Sequence, residues 1–294
     1  MSEGAIVLPT DMDDEVALAD WLEATMLVEG RAHFSRSLIR RYLISELAAS
    51  DADIAIDVLL NEIARRQRAC PDGYPFAEHE NGVRYSQSEA GVPYVFLLTI
   101  STSVRYRKEH RQRDTDELFD LLVLDALKQY LGPGVEGLRF GAPASGRRPR
   151  NFQDAIAWLA KDMNLPLGAG HARRVGGDGG LDVIVWRPFL DKRSGYVVIL
   201  TQCTVQREWF DKAKDLTEDV WRGWIDLGKG PHLALAIPFV ISAGYEKWDM
   251  LRRTVHTVLD RLRLCELLGR TGPSERARIG KWTAREVKAM AEST

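Results

Sequence analysis

An aspartate stands inside an apolar, β-prone run, Leu181-Asp182-Val183-Ile184-Val185-Trp186, directly after Gly176-Gly177-Asp178-Gly179-Gly180. A turn over residues 189–195 separates this run from a longer one, residues 196–204, whose end carries Gln202 and Cys203. Two strands joined by a turn thus carry an acidic residue on the first and an amide near the end of the second. A carboxylate in apolar surroundings is costly unless it meets a partner or a cation. A second carboxylate raises the same question. Asp120 lies in a helical pattern over 114–131, with Val123, Leu124 and Leu127 at the following i+3, i+4 and i+7 positions. Carboxylate and amide oxygens are the donors a hard divalent cation takes, usually together with phosphate and water.

The elements around these residues set the fold class. Residues 13–29, 36–49 and 52–68 read as helices, the last with Ser50-Asp51 as an N-cap. Residues 74–76 and 83–85 read as short strands around Asn81-Gly82, a dipeptide suited to a hairpin turn. Tyr94 to Ser101 is an apolar, β-prone run. Helices followed by a hairpin are the order of a winged helix, and equally of a small helical docking domain. Arg105 to Arg113 is strongly basic and lacks apolar periodicity, either a linker or a phosphate-facing segment. The boundary falls there, giving a mainly helical domain over 1–110 and an α/β domain over 111–294. In the second half, Asp114 with Glu117 resembles a capping box. A helix spans about 151–163, a strand 233–240 and a last helix 248–268. Trp209, Trp221 and Trp224 have helical spacing and are expected in the core.

These residues resemble the PD-(D/E)xK, or restriction-endonuclease-like, nuclease superfamily, in particular its Mrr-like and resolvase-like Gln variants. The resemblance covers roughly residues 114–268. Its motif aspartate matches Asp182, its Glu/Gln position matches Gln202, and Cys203 follows as it does in the Gln variants. Phe119-Asp120 matches the Phe-Glu pair of the preceding helix. The resemblance implies a mixed central sheet flanked by helices and Mg²⁺- or Mn²⁺-dependent cleavage of DNA, with a role in restriction or anti-phage defence. It also implies a ligand set of Asp182, Gln202, the Cys203 backbone carbonyl and Asp120 or Glu117. One departure is plain: Thr204 occupies the motif lysine position. In this superfamily that lysine migrates onto a neighbouring helix, which makes Lys212 the candidate. The other reading of Thr204 and the neutral Gln202 is a catalytically inactive module that binds nucleic acid or assembles with a partner.

Five arginines, Arg147, Arg148, Arg150, Arg173 and Arg174, lie in the loops before the Asp182 strand, where they would meet phosphates or simply face solvent. The run Gly176–Gly180 is no phosphate-binding P-loop, since no Gly-Lys-Ser/Thr follows. His171 and His232 read as loop and capping residues. The chain of 294 residues has a formal net charge of −2, so affinity for nucleic acid must come from local patches. Its three cysteines, Cys70, Cys203 and Cys265, form neither a disulfide framework nor a Cys-based zinc site. The acidic N-terminus carries no signal-peptide pattern, and no stretch reaches about eighteen apolar residues. A cytoplasmic protein is expected, with DNA as partner, no membrane, a protein partner through the N-terminal domain, and homodimerisation as an option for cutting both strands.

Overall fold

A computed structural model describes residues 6, 8–9, 14–45, 49–106, 113–141, 146–170, 179–269 and 271–292. The chain divides into two compact units. Unit 1 holds residues 1–111, 238–245 and 260–294; unit 2 holds 112–237 and 246–259. This differs from the two consecutive stretches 1–110 and 111–294 read from the sequence, because the chain leaves unit 2 twice to complete unit 1.

Unit 1 begins with α1 (Glu15–Val28), β1 (His33–Ser35), α2 (Arg36–Leu43), α3 (Ala49–Ala69), β2 (Phe76–His79), β3 (Gly82–Tyr85) and α4 (Val92–Tyr106). The three strands form an antiparallel sheet in the order β1-β3-β2. The hairpin turn is Glu80-Asn81, since His79 pairs with Gly82. Glu80 takes the left-handed φ of 51°, and Gly82 lies in the strand. A Cβ on Gly82 would stand 2.0 Å from the Phe34 carbonyl oxygen, so glycine is required there by the approach of β1 rather than by the turn.

The run Tyr94–Ser101 is helical, not extended. Tyr94, Phe96, Leu97, Leu98, Ile100 and Ser101 are all buried. A helix apolar on every side belongs in the middle of its unit, where packing outweighs β-propensity. Thr99 and Thr102 donate their hydroxyls to the Val95 and Leu98 carbonyls at 2.7 and 2.8 Å, so these β-branched residues bury no unsatisfied oxygen.

Unit 2 continues with α5 (Arg113–Leu131), β4 (Glu136–Arg139), α6 (Phe152–Asp162), β5 (Val183–Trp186), β6 (Val198–Cys203), α7 (Trp209–Lys212), α8 (Glu218–Trp224), β7 (His232–Ala236), α9 (Trp248–Thr254) and β8 (Thr257–Leu259). Its five-stranded sheet runs β4-β5-β6-β7-β8. The first two pairings are antiparallel and the last two parallel. This is the mixed sheet with helices that was expected. The helix read over 248–268 is broken: β8 pairs with β7, and α10 (Arg261–Leu268) starts anew in unit 1. The β-branched run Thr254-Val255-His256-Thr257-Val258 favours a strand, and Asp260 caps α10 by accepting from the Arg263 N–H at 3.1 Å. Unit 1 ends with α11 (Arg276–Glu292). Trp221 and Trp224 are buried as expected, whereas Trp209 is half-buried. Among the described residues no helix is long and apolar enough to cross a membrane.

Candidate active site

Asp182 lies immediately before β5, not inside it, and three backbone bonds fix it there. Its N–H donates to the Thr201 carbonyl at 3.0 Å, and its own carbonyl accepts from Phe140 and Gly141 at 2.7 and 3.0 Å. The residue is therefore pinned between the end of β4 and the end of β6. Its Oδ2 accepts from Gln202 Nε2 at 2.9 Å and from the Cys203 N–H at 2.8 Å. The two residues singled out from the sequence thus meet directly across neighbouring strands. Gly179 and Gly180 adopt left-handed φ values of 65° and 75°, making the tight turn that precedes Asp182. A Cβ on Gly180 would stand 3.1 Å from Gln202 Oε1. His171, Arg173, Arg174 and residues 176–178 lie outside the described residues.

The Gln202 amide bears directly on whether a cation fits. Its nitrogen donates to Asp182 Oδ2 and, at 3.3 Å, to the Cys203 carbonyl, two of the oxygens expected as ligands. Its Oε1 is buried and has no hydrogen-bond partner among the described residues. Amide nitrogen and oxygen are exchanged by a half-turn about the last side-chain bond. After that exchange three oxygens would face one another, which is unfavourable unless a cation lies among them. In the observed orientation the NH₂ group satisfies Asp182 and Cys203, and the oxygen is left without a partner among the described residues.

Asp120 has the partner its burial demands. Arg139 donates from Nε to Asp120 Oδ2 at 2.8 Å, both side chains being buried. The Asp120 charge is thus offset by a side-chain partner, one of the two answers to its burial, a partner or a metal, that its apolar neighbours called for. Nothing in the sequence flagged Arg139, which stands between Leu138 and Phe140. Glu117 is half-buried one turn earlier on α5. Among the described residues no three His, Cys, Asp or Glu side chains converge as a metal-binding group. With the Gln202 amide turned over, the converging oxygens would be one carboxylate, one amide and one backbone carbonyl. Such a set suits Mg²⁺ or Mn²⁺ arriving with phosphate and water rather than held tightly beforehand.

Burial pushes the Asp120 carboxyl up to about 6, against the pull of Arg139. Burial, together with the nearby Asp120 and Asp182 charges, also pushes the Cys203 thiol well above its ordinary range, leaving it neutral and unreactive. The raised Asp120 value has a sign. Between its ordinary 3.8 and about 6 the unfolded chain has lost the proton that the folded protein keeps. Folding takes up a proton in that window, and the group's contribution to stability falls as pH rises through it. NMR titration of the metal-free protein should show a carboxyl step near pH 6 that Asp120→Asn removes. A step near pH 4 would contradict the assignment.

Gly141 leaves a space between the two carboxylates. A Cβ there would stand 2.8 Å from Asp182 Oδ1 and 3.5 Å from Asp120 Oδ2. Gly141→Ala should therefore displace the Asp182 carboxylate.

Lys212 sits at the end of α7, and its ammonium bonds Asp215 Oδ2 at 2.9 Å rather than Asp182 or Gln202. The turn that carries it still borders the site, because the Asp215 carbonyl would be 2.8 Å from a Cβ on Gly180. Thr204, at the motif lysine position, is buried; its hydroxyl accepts from the Gln206 N–H at 3.2 Å. Arg147 and Arg150 are exposed, in keeping with a surface loop. Arg148 is not: it is buried, with its guanidinium 4.3 Å over the Phe140 ring, so it packs rather than reaching outward. His232 is exposed at the start of β7, the opposite end of the strands from Gln202.

No family model matches this chain, and no curated protein does. One solved structure is similar, the MspJI restriction endonuclease in complex with a 27-mer oligonucleotide. The likeness has 15% identity and a TM-score of 0.30, and it covers 70% of this chain and 40% of that one. This chain thus spans well under half of that protein. A TM-score so low carries no weight, and the site stands on its own geometry.

Proposed function

We propose that unit 2 is a metal-dependent endonuclease that hydrolyses DNA phosphodiester bonds. The observation that carries this reading is the meeting of Asp182 with Gln202 and Cys203 across two strands, beside a buried amide oxygen that has no partner among the described residues. Asp182, Gln202 Oε1 and the Cys203 carbonyl would hold Mg²⁺ or Mn²⁺, with Asp120 behind them. Bound there, the cation would neutralise charge on the phosphate and lower the pKa of a water. Lys212 would position that water and stabilise charge on the transferring group. Its pair with Asp215 is a partly exposed one, worth about 0–1 kcal/mol, so releasing the ammonium costs little. Restriction or anti-phage defence is the setting this chemistry serves, in the cytoplasm and with a homodimer or a protein docked on unit 1 as the assembly.

Supercoiled plasmid incubated with the protein and Mg²⁺ or Mn²⁺ should be nicked or linearised, and a chelator should stop the reaction. Lys212→Ala should slow it by about 100-fold or more. The absence of cleavage with either metal would overturn the nuclease reading. Full activity in Lys212→Ala would remove that residue from the mechanism. The second reading, an inactive nucleic-acid-binding module, is favoured by Thr204 at the motif lysine position and by the pairing of Asp120 with Arg139.

A further inference from the structure

A groove of about 580 Å³ runs along β4, the edge strand of the unit 2 sheet. Its walls include Lys128 from α5, Arg139 and Glu136 from β4, Arg147 from the following loop, Trp158 from α6, and Trp186 from β5. The volume lies within the range of sites that take a ligand of nucleotide size, roughly 300–1,000 Å³. Lys128 and Arg147 bring cations to the lining beside the carboxylates of Glu136 and Asp162, while Arg139 is paired with Asp120 and Arg148 packs on Phe140. Arg147 is exposed and Lys128 half-buried, so both offer their heads to an anion. Trp158 is half-buried and Trp186 buried, which gives the groove an indole wall among the cations. One wall is shared with the candidate site, for Arg139 lines the groove while its Nε holds Asp120.

We propose that this groove binds one unpaired nucleotide of a DNA strand, its base against Trp158 and its phosphate between Lys128 and Arg147. The role assigned to the strand rests on the nuclease reading; the binding does not. Cations beside an indole form the pattern that recognises single strands, because every base has a face to stack and every nucleotide a phosphate to neutralise. A duplex keeps its bases stacked on one another and cannot offer one to Trp158 without first unpairing it. The groove would hold the strand at a fixed offset from Asp182, through the Asp120–Arg139 pair.

The test is binding of a fluorescently labelled oligo-dT 12-mer, followed by anisotropy in chelator at low salt, so that no cleavage is required. Wild type should bind, and an unlabelled duplex of the same length should compete at least tenfold more weakly. Trp158→Ala should weaken binding by tenfold or more, while Trp158→Phe, which keeps a ring, should restore most of it. Arg147→Glu should weaken binding and flatten its salt dependence by about one counterion. Arg147 is exposed, so its substitution decides the matter even if Trp158→Ala does not fold. No binding by wild type, unchanged binding by Trp158→Ala or Arg147→Glu, or equal competition by duplex would each overturn the proposal. Loss of plasmid cleavage with binding intact would instead count against the nuclease reading alone.

Discussion

Asp182→Ala should reduce metal-dependent DNA cleavage by at least about a thousandfold, equivalent to about 4 kcal/mol of transition-state stabilisation. The side chain has two duties. It would be a charged ligand beside the amide oxygen, and its Oδ2 already accepts from the Gln202 NH₂ and the Cys203 N–H. Alanine takes the acceptor from the Cys203 N–H and leaves the Gln202 NH₂ only its longer bond to the Cys203 carbonyl, so a stability cost of about 1–3 kcal/mol should accompany the lost activity. Asp182→Asn separates the two effects: it keeps an acceptor oxygen and the shape but loses the charge, so activity should collapse with much of the stability retained. Gln202→Glu should act with opposite signs in the two states of the site. Without metal it sets a second carboxylate against Asp182 and lowers the thermal midpoint. With Mn²⁺ it adds a charged ligand, tightens binding by tenfold or more, and raises the midpoint by more than wild type gains. Calorimetric titration of Mn²⁺ into both proteins decides the point. Equal affinities would mean that the amide is not at the metal.

The Asp182–Gln202 pairing was legible because polar residues inside apolar strands are conspicuous, and because a short connection makes adjacent strands the natural arrangement. Asp120 was legible as a carboxylate in need of a partner. The identity of that partner was not, since Arg139 is nineteen residues away and only the packing of α5 against β4 brings the two together. Gly141 carried no local mark either, because its importance comes from the side chains on both sides of it rather than from its own backbone. For the elements, periodicity located α1, α3, α5 and α6 well, and missed where burial overrode propensity, as at α4. The break at β8 was written in five residues, four of them β-branched, which the longer helical pattern on both sides obscured.

Arg66→Met should cost unit 1 about 3–5 kcal/mol, a large part of the roughly 5–15 kcal/mol that holds a typical domain folded. Arg66 is fully buried and bonds Asp20 at 2.7 Å, Glu62 at 2.7 Å, Glu23 at 3.1 Å and the Val16 carbonyl at 3.0 Å. Arg261 shares Asp20, with bonds of 2.8 and 3.0 Å, and also donates to Ser101 and to the Pro238 carbonyl. Tyr74 and Tyr94 complete the coordination of Glu23, whose carboxyl burial pushes upward and Arg66 pulls down. Removing one cation strands buried carboxylates that no rearrangement can hydrate, whereas replacing a whole network by apolar residues is often harmless. Arg66→Lys should recover little, because an ammonium cannot span four acceptors arranged for a guanidinium. Urea unfolding followed by circular dichroism measures the loss, and a change under about 1 kcal/mol would show that the network contributes little. The network also accounts for the division of the chain. Its members come from residues 16–23, 62–66, 74, 94–101, 238 and 261, so the last helices belong to unit 1 by buried charge as well as by packing. A boundary drawn once along the sequence could not have shown this, since Arg261 looks like any surface arginine until Asp20 is placed beside it.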